Sequence, residues 1–428
     1  MSRPLPNRIT AAWLIGIVIA ATLLHRAGEA NELSSEITID DALRILQSES
    51  PRWAAERAQL SLAEAEIIAA SVLSNPTLSY NLLQLGQVAN TGAASTHQVT
   101  LEQPLLLFGQ RGKRIEAAQA AQRALRADLS ARFAERARDL HRVFVDLLGA
   151  QEKQRLLHDS LQEMQRAEAI VRGRAAAGDR SQYDVLRIAL ESRALANELA
   201  TVEAERLEAA GQLGQLLGKP GWQPRARGDL TPIDPTQTAD VLWERARARH
   251  PAIVAAQRRI EQAEAVVSQA RRERAPEIAV QLGLMATQAE DSLSAFIGLS
   301  TPVPILNRQQ GPIARAQAAH NVAQKEQRAV VAETEAALQR AIAVSRSRHT
   351  AAAHLAQEVF AHLPELRRMA EESYRQGKSN IVDLLDAFRS LKTLRMQYVE
   401  QLVGAEHAEV DLLFAAGFSA QSHRGTNP

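Results

Sequence analysis

Residues 97–112 read His97-Gln98-Val99-Thr100-Leu101-Glu102-Gln103-Pro104-Leu105-Leu106-Leu107-Phe108-Gly109-Gln110-Arg111-Gly112, and the periodicity changes within them. From Gln98 to Glu102 polar and apolar side chains alternate, the two-residue period of a strand with one apolar face. From Gln110 to Ala177 the period becomes helical. Leu125, Leu129, Phe133, Leu140, Phe144, Leu147, Leu157, Leu161, Met164 and Val171 recur at mostly three- and four-residue steps. At 1.5 Å per residue such a helix is about 100 Å long. No single small domain can bury one side of it.

Upstream, a helix from Ile39 to Leu73 ends before Asn75-Pro76, a pair that disfavours continued helix. An extended segment from Thr77 to Gly86 follows. The turn-rich Ala89-Asn90-Thr91-Gly92 joins it to a second extended segment, His97 to Phe108, so the two read as a hairpin. Downstream, Ala177-Gly178-Asp179-Arg180-Ser181 turns the chain back into a helix from Gln182 to Leu217. Val185, Ile188, Leu195, Leu199 and Val202 give that helix a heptad-like seam.

The same parts come round again. At a shift of 200, Pro51 falls on Pro251, Ala63-Glu64-Ala65 on Ala263-Glu264-Ala265, and Pro76 on Pro276. At 198, Leu101 falls on Leu299, Pro104 on Pro302, Ile115 on Ile313, and Ala118-Gln119-Ala120 on Ala316-Gln317-Ala318. At 199, Gly178 falls on Gly377, Asp184 on Asp383, and Leu186 on Leu385. The chain therefore reads as two tandem copies, 37–218 and 237–417, with a Pro- and Gly-rich linker at 219–236 and a polar, disordered tail at 418–428. The second copy gives a helix from Thr238 to Arg274 and strands Glu277 to Met285 and Ser294 to Leu306 around the loop Gln288-Ala289-Glu290-Asp291. A helical hairpin follows, turning at Gln376-Gly377-Lys378-Ser379-Asn380 and carrying Leu384, Leu391, Leu394, Tyr398 and Leu412.

Strands of 9 to 11 alternating residues have the length of tilted membrane-spanning barrel strands. A periplasmic β-domain is the bland reading of the same pattern. Four strands cannot close a barrel and lipid tolerates no open edge, so a membrane barrel must be shared between chains. Residues 1–30 read as a signal peptide: Arg3 and Arg8 precede the apolar run Ala11 to Leu24, and Gly28-Glu29-Ala30 offers a cleavage site, so that the mature chain starts near Asn31. There is no cysteine, which excludes disulfides, thiolate metal sites and a lipid carried on cysteine. With 50 Lys and Arg against 49 Asp and Glu, the charge balance gives no reason to expect a nucleic-acid partner.

A signal peptide and a doubled unit of helix, strand hairpin and long helical hairpin together resemble the TolC family of outer-membrane efflux proteins. The most specific segments are Leu101-Glu102-Gln103-Pro104-Leu105 through Gly109-Gln110-Arg111-Gly112, and Gly377-Lys378-Ser379-Asn380-Ile381-Val382-Asp383-Leu384-Leu385-Asp386. The resemblance implies a mixed α and β protomer of a homotrimer. In it a twelve-stranded β-barrel in outer-membrane lipid continues into a periplasmic tunnel of twelve helices. It also implies partners: a periplasmic adaptor (membrane fusion) protein and an inner-membrane pump of RND type. Gln-Pro, glycine and Arg-Gly in order look most like the branch serving exporters of cobalt, zinc and cadmium. A multidrug or type I secretion conduit stays open as an alternative, and so does a soluble periplasmic coiled-coil scaffold. No phosphate loop, Ser-His-Asp order or metal spacing supports an enzyme, and no cofactor is expected.

Asp383 and Asp386 share a helix face, and under threefold symmetry they would stack as two carboxylate rings that favour cations at a constriction. The resemblance places these positions at the periplasmic entrance gate, with Tyr374 helping to hold it shut. Where the family's type member has an arginine in this turn, this chain has Ser379 beside Lys378. The bland reading of Asp383 is an N-terminal-turn aspartate favoured by the helix dipole. The turns at Gly178 and Gly377, with Asp184 and Lys378, resemble docking points for the adaptor. The eleven histidines are scattered: His141 and His158, like His349 and His354, lack ligand spacing, so no metal cage is expected.

Overall fold

The computed structural model describes residues 36–85, 94–178, 181–231, 237–287 and 292–418. The expected signal peptide, both hairpin loops, Asp179 and Arg180 of the first tip, and the tail beyond Phe418 lie outside these residues.

Strand β1 (Glu36–Ile37) leads into three short helices, α1 (Ile39–Ser48), α2 (Pro51–Arg57) and α3 (Gln59–Ser71). A hairpin of β2 (Thr77–Leu85) and β3 (Ala94–Leu105) follows, then the long helix α4 (Gln110–Ala176) and its return, α5 (Gln182–Leu217). After β4 (Arg225–Ala226) the order recurs: α6 (Ala239–Arg249), α7 (Pro251–Arg272), β5 (Ile278–Thr287), β6 (Ser292–Ser300), α8 (Gln310–His354), α9 (Leu363–Arg375) and α10 (Ile381–Ala415).

The opening helix of each half, expected as one piece, is broken. Pro51 and Pro251 each begin a new helix, because proline lacks the N–H that would continue the previous one and pushes the residue before it out of the α region. Ser50 and His250 accordingly have ψ of 119° and 124°. Each break is met by a left-handed glycine at the far end of its half. Gly218 (φ +72°) lies where a Cβ would come 2.3 Å from Pro51 Cδ, and Gly417 (φ +72°) where one would come 3.1 Å from His250 Cα. Only glycine fits both the backbone and the space.

A second departure falls in the later half, where α4's counterpart is interrupted. Between α8 and α9 the chain makes a π turn at Leu355–Val359 and a 3-10 turn at Phe360–His362. Pro364 accounts for this, since it has no N–H for the Phe360 carbonyl four residues back, which accepts from the Leu363 N–H instead in a tighter turn. The expected strand from Ser294 to Leu306 is also shorter, stopping at Ser300 ahead of Pro302 and Pro304, and β3 stops at Leu105 rather than Phe108. The linker is not wholly irregular. β4 pairs with β1 in parallel, and Gln151 of α4 both accepts from the Ala226 N–H (2.7 Å) and donates to its carbonyl (2.8 Å).

The four long strands form one antiparallel sheet in the order β2-β3-β5-β6, with β2 and β6 as edges. The register puts Leu78, Tyr80 and Leu82 on the same face as Val99 and Leu101, Leu282 and Leu284, and Leu293, Ile297 and Leu299. The other face carries Ser79, Asn81, Gln98, Thr100, Glu102, Gln281, Ser294 and Ser300, and there Gln281 Nε2 donates to Glu102 at 2.7 Å. On the apolar face Ile297 is 76% exposed and Leu299 75%. No helix among the described residues is long and apolar enough to cross a membrane.

The helices pack pairwise along their length rather than around one centre. α4 lies against α5, α7 and α10, and α8 lies against α7 and α10. One core, near the sheet-distal end, joins Leu157, Ile188, Leu195, Tyr374, Leu385 and Leu391. Another gathers Ile37, Leu43 and Leu46 of the opening segment onto Leu140, Leu147, Leu213 and Leu217. A third sets Leu242 and Ala246 against Leu338, Ile342 and Leu412.

Candidate functional site at the helical tips

The two helical hairpins end side by side, and their turns form by the same means. At the second, Gly377 (φ +73°) follows α9, and the N–H groups of Gly377 and Lys378 donate to the carbonyls of Tyr374 (3.1 Å) and Ser373 (2.9 Å). This is how a left-handed residue satisfies the last carbonyls of a helix. At the first, Gly178 (φ +83°) donates to Ala175 at 3.1 Å, and the Asp184 N–H donates to Ser181 at 3.1 Å as α5 begins. Gly178 and Lys378 are exposed and Asp184 is half-buried.

α10 starts with a reciprocal cap. Asn380 Oδ1 accepts from the N–H groups of Val382 (2.8 Å) and Asp383 (3.0 Å), and Asp383 Oδ2 accepts from the Asn380 N–H (3.1 Å). Asp383 thus performs the capping expected of an aspartate at this position. Its side chain and that of Asp386 nevertheless remain exposed, one turn apart on a face that the protomer leaves open. Tyr374 does not share that face. It is 1% exposed, within the tip core, beneath the Arg174 guanidinium at 5.8 Å from its ring.

Arg174 ties the two hairpins together at their ends, because its Nη1 donates to the carbonyls of Tyr374 (2.7 Å) and Arg375 (3.0 Å). Behind it a ladder of ion pairs runs along the seam between α5 and α10. Arg389 forks onto Glu191 (2.8 and 2.5 Å), and Lys392 reaches Glu198 (2.6 Å). The Arg389 hydrogen bonds hold the Glu191 carboxyl below its ordinary value, and Glu191 raises Arg389 in turn. Deeper, where α4, α9 and α10 meet, Glu163 accepts from Arg367 (2.5 Å) and from Arg395 (3.1 Å). The Glu163 side chain is 9% exposed and that of Arg395 14%. Sequence reasoning singled out none of these residues. They lie beside the leucine seams at positions where paired helices place complementary charges, but each partner comes from the other half of the chain.

Among the described residues, no group of three or more histidines, aspartates or glutamates could hold a metal ion. What the tips present chemically is a carboxylate-bearing rim on a seam locked by ion pairs.

A sheet with an exposed apolar face and two edges that pair with no other strand among the described residues, carried on helices of 67 and 45 residues, is the architecture of a membrane channel chain. The chain belongs to the outer membrane efflux protein family, whose model matches residues 42–219 and 242–417. It is therefore a channel protein of the outer membrane, with its helices in the periplasm. The cobalt-zinc-cadmium resistance protein CzcC of Cupriavidus metallidurans is 27% identical over 370 residues, covering 86% of this chain and 87% of that one. The fold is that of the outer-membrane channel OprN (TM-score 0.72, 20% identity, 90% of each chain). It is also that of VceC from Vibrio cholerae (TM-score 0.70, 16% identity, 89% and 96%).

Proposed function

We propose that three copies of this chain assemble into one outer-membrane duct that passes divalent heavy-metal cations outward. A periplasmic adaptor meeting the tips at Gly178, Asp184, Gly377 and Lys378 opens it, and an inner-membrane pump of RND type drives the export. The observation that carries the assembly is the sheet. Its apolar face is exposed over four strands and both edges are unpaired, and hydrocarbon tolerates neither an open edge nor an isolated four-stranded sheet. Edge β6 of one copy meeting edge β2 of the next removes every edge, and three copies give twelve strands.

The two halves of the chain, 37–218 and 237–417, are read as a tandem duplication. The twice-repeated order of elements and the paired glycines 218 and 417 support it. For the cargo, the support is the similarity to a cobalt-zinc-cadmium resistance protein over most of both chains, and the exposed Asp383 and Asp386 at the tip. Acidic rings suit cation passage better than a tight cage, which would arrest its cargo. Loss of the gene is expected to raise sensitivity to cobalt, zinc and cadmium at least tenfold in growth assays and leave tolerance of organic toxicants unchanged. Sensitivity confined to organic toxicants, or a defect only in polypeptide secretion, would overturn the cargo.

A further inference from the structure

Where the sheet passes into the helices, the two halves handle their cations differently. In the first, Arg111 donates to the Ser71 carbonyl (2.7 Å), Lys113 pairs with Glu116 (2.5 Å), and Arg114 holds both Glu273 (3.0 Å) and Glu277 (3.7 Å). In the second, Arg271 and Arg272 end α7, Arg274 follows in the turn before β5, and Arg308 lies just before α8 in the segment that links it to β6. All four are exposed, and none lies within ion-pair distance of a carboxylate among the described residues. The two local acids are already engaged by Arg114.

Next to these arginines the segment 301–309 presents Val303 (71% exposed), Ile305 (68%) and Leu306 (89%). Side chains of that size belong out of water, and nothing among the described residues covers them. Arg271, Arg272 and Arg274 also line an open groove of about 1050 Å³ between α7 and α8. It is wide enough for a phospholipid headgroup. Among the described residues the acid lining that groove, Glu264, sits 3.4 Å from His320. Unpaired guanidinium groups beside exposed aliphatic side chains, at the rim of an apolar sheet face, are what the boundary of a bilayer selects: hydrocarbon above, phosphate at the rim.

We propose that Arg271, Arg272, Arg274 and Arg308 bind the phosphates of anionic phospholipids in the periplasmic leaflet, while Val303, Ile305 and Leu306 sit among the first methylenes of their acyl chains. This rests on the sheet being membrane-embedded. The collar then fixes the depth of the duct, and it does so through one half of each protomer, giving three sites per assembly.

The test uses the detergent-extracted full-length protein. Vesicle flotation is measured with pure phosphatidylcholine and with an equal mixture of phosphatidylcholine and phosphatidylglycerol, and thermal unfolding with either lipid added. Wild type floats with both vesicles, and phosphatidylglycerol raises its unfolding midpoint by several degrees more than phosphatidylcholine does. Arg274→Gln plus Arg308→Gln halves that difference, and the fourfold Arg→Gln variant removes it. The fourfold Arg→Lys variant, which keeps the charge, retains most of it, and Arg111→Gln leaves it unchanged. Equal midpoints with the two lipids, or a fourfold Gln variant that keeps the whole response, overturns the collar. A fourfold Gln variant that no longer assembles, while the double variant keeps the full response, overturns it too, assigning the arginines to the neighbouring chain. Wild type that fails to float with phosphatidylcholine overturns the membrane sheet itself.

Discussion

Glu163→Gln is expected to loosen the second tip by about 3 kcal/mol, the lower end of the cost of breaking a buried ion pair. The amide leaves Arg367 and Arg395 side by side without their shared carboxylate, at a point where Glu163 and Arg395 are almost closed to water. Arg367 is more accessible and can turn outward, which keeps the cost at that lower end. The loss falls on α9 and on the start of α10 rather than on the sheet. Hydrogen exchange should therefore quicken roughly a hundredfold in residues 363–375 and 381–395 and stay unchanged in β2 to β6. Lys392→Gln, which removes a more exposed pair with Glu198, should cost less than about 1 kcal/mol. Unchanged exchange at the tip in Glu163→Gln would mean that the buried pairs do not hold the hairpins together.

Asp383→Asn combined with Asp386→Asn should lower the cation-to-anion permeability ratio of the reconstituted channel about tenfold. The choice of asparagine matters, because Asp383 also accepts the Asn380 N–H and an alanine would remove charge and cap together. Asparagine keeps an acceptor in that place. The variant thus separates the two roles that one residue carries: a capping role alone leaves selectivity where it was, whereas carboxylate rings at a constriction do not. Reversal potentials in a salt gradient give the ratio directly. A variant with wild-type reversal potential would sink the gate and leave the duct.

The long elements were legible because their signals are local. α4 needed only leucines at three- and four-residue steps, and β3 needed only the alternation from Gln98 to Glu102. The turns at Gly178 and Gly377 were legible because positive φ favours glycine. What stayed hidden depended on partners far away in the chain. Pro51 and Pro251 were visible as matched prolines, but the helix breaks they make are closed by Gly218 and Gly417, more than 160 residues later. The irregular turn at 355–362 follows from Pro364, which the leucine periodicity on either side masked. The ion-pair ladder could not be read at all, since Glu191 and Glu198 acquire meaning only when α10 is laid against α5. The burial of Tyr374 in the tip core was hidden for the same reason, since the residues that cover it come from both helical hairpins.

The central claim is that the sheet closes only between chains, β6 of one copy against β2 of the next. The absence of native cysteine makes this directly testable, since any disulfide must come from introduced residues. Ser79→Cys on β2 is combined in turn with Ser294→Cys, Gly298→Cys and Ser300→Cys on β6. Within one chain these strands are three spacings apart, about 14 Å, too far for a disulfide to form. The account predicts that oxidation of membranes carrying at least one of these pairs yields covalent trimers on a denaturing gel, reversed by a thiol reductant. Chains that remain monomeric for every pair would contradict it.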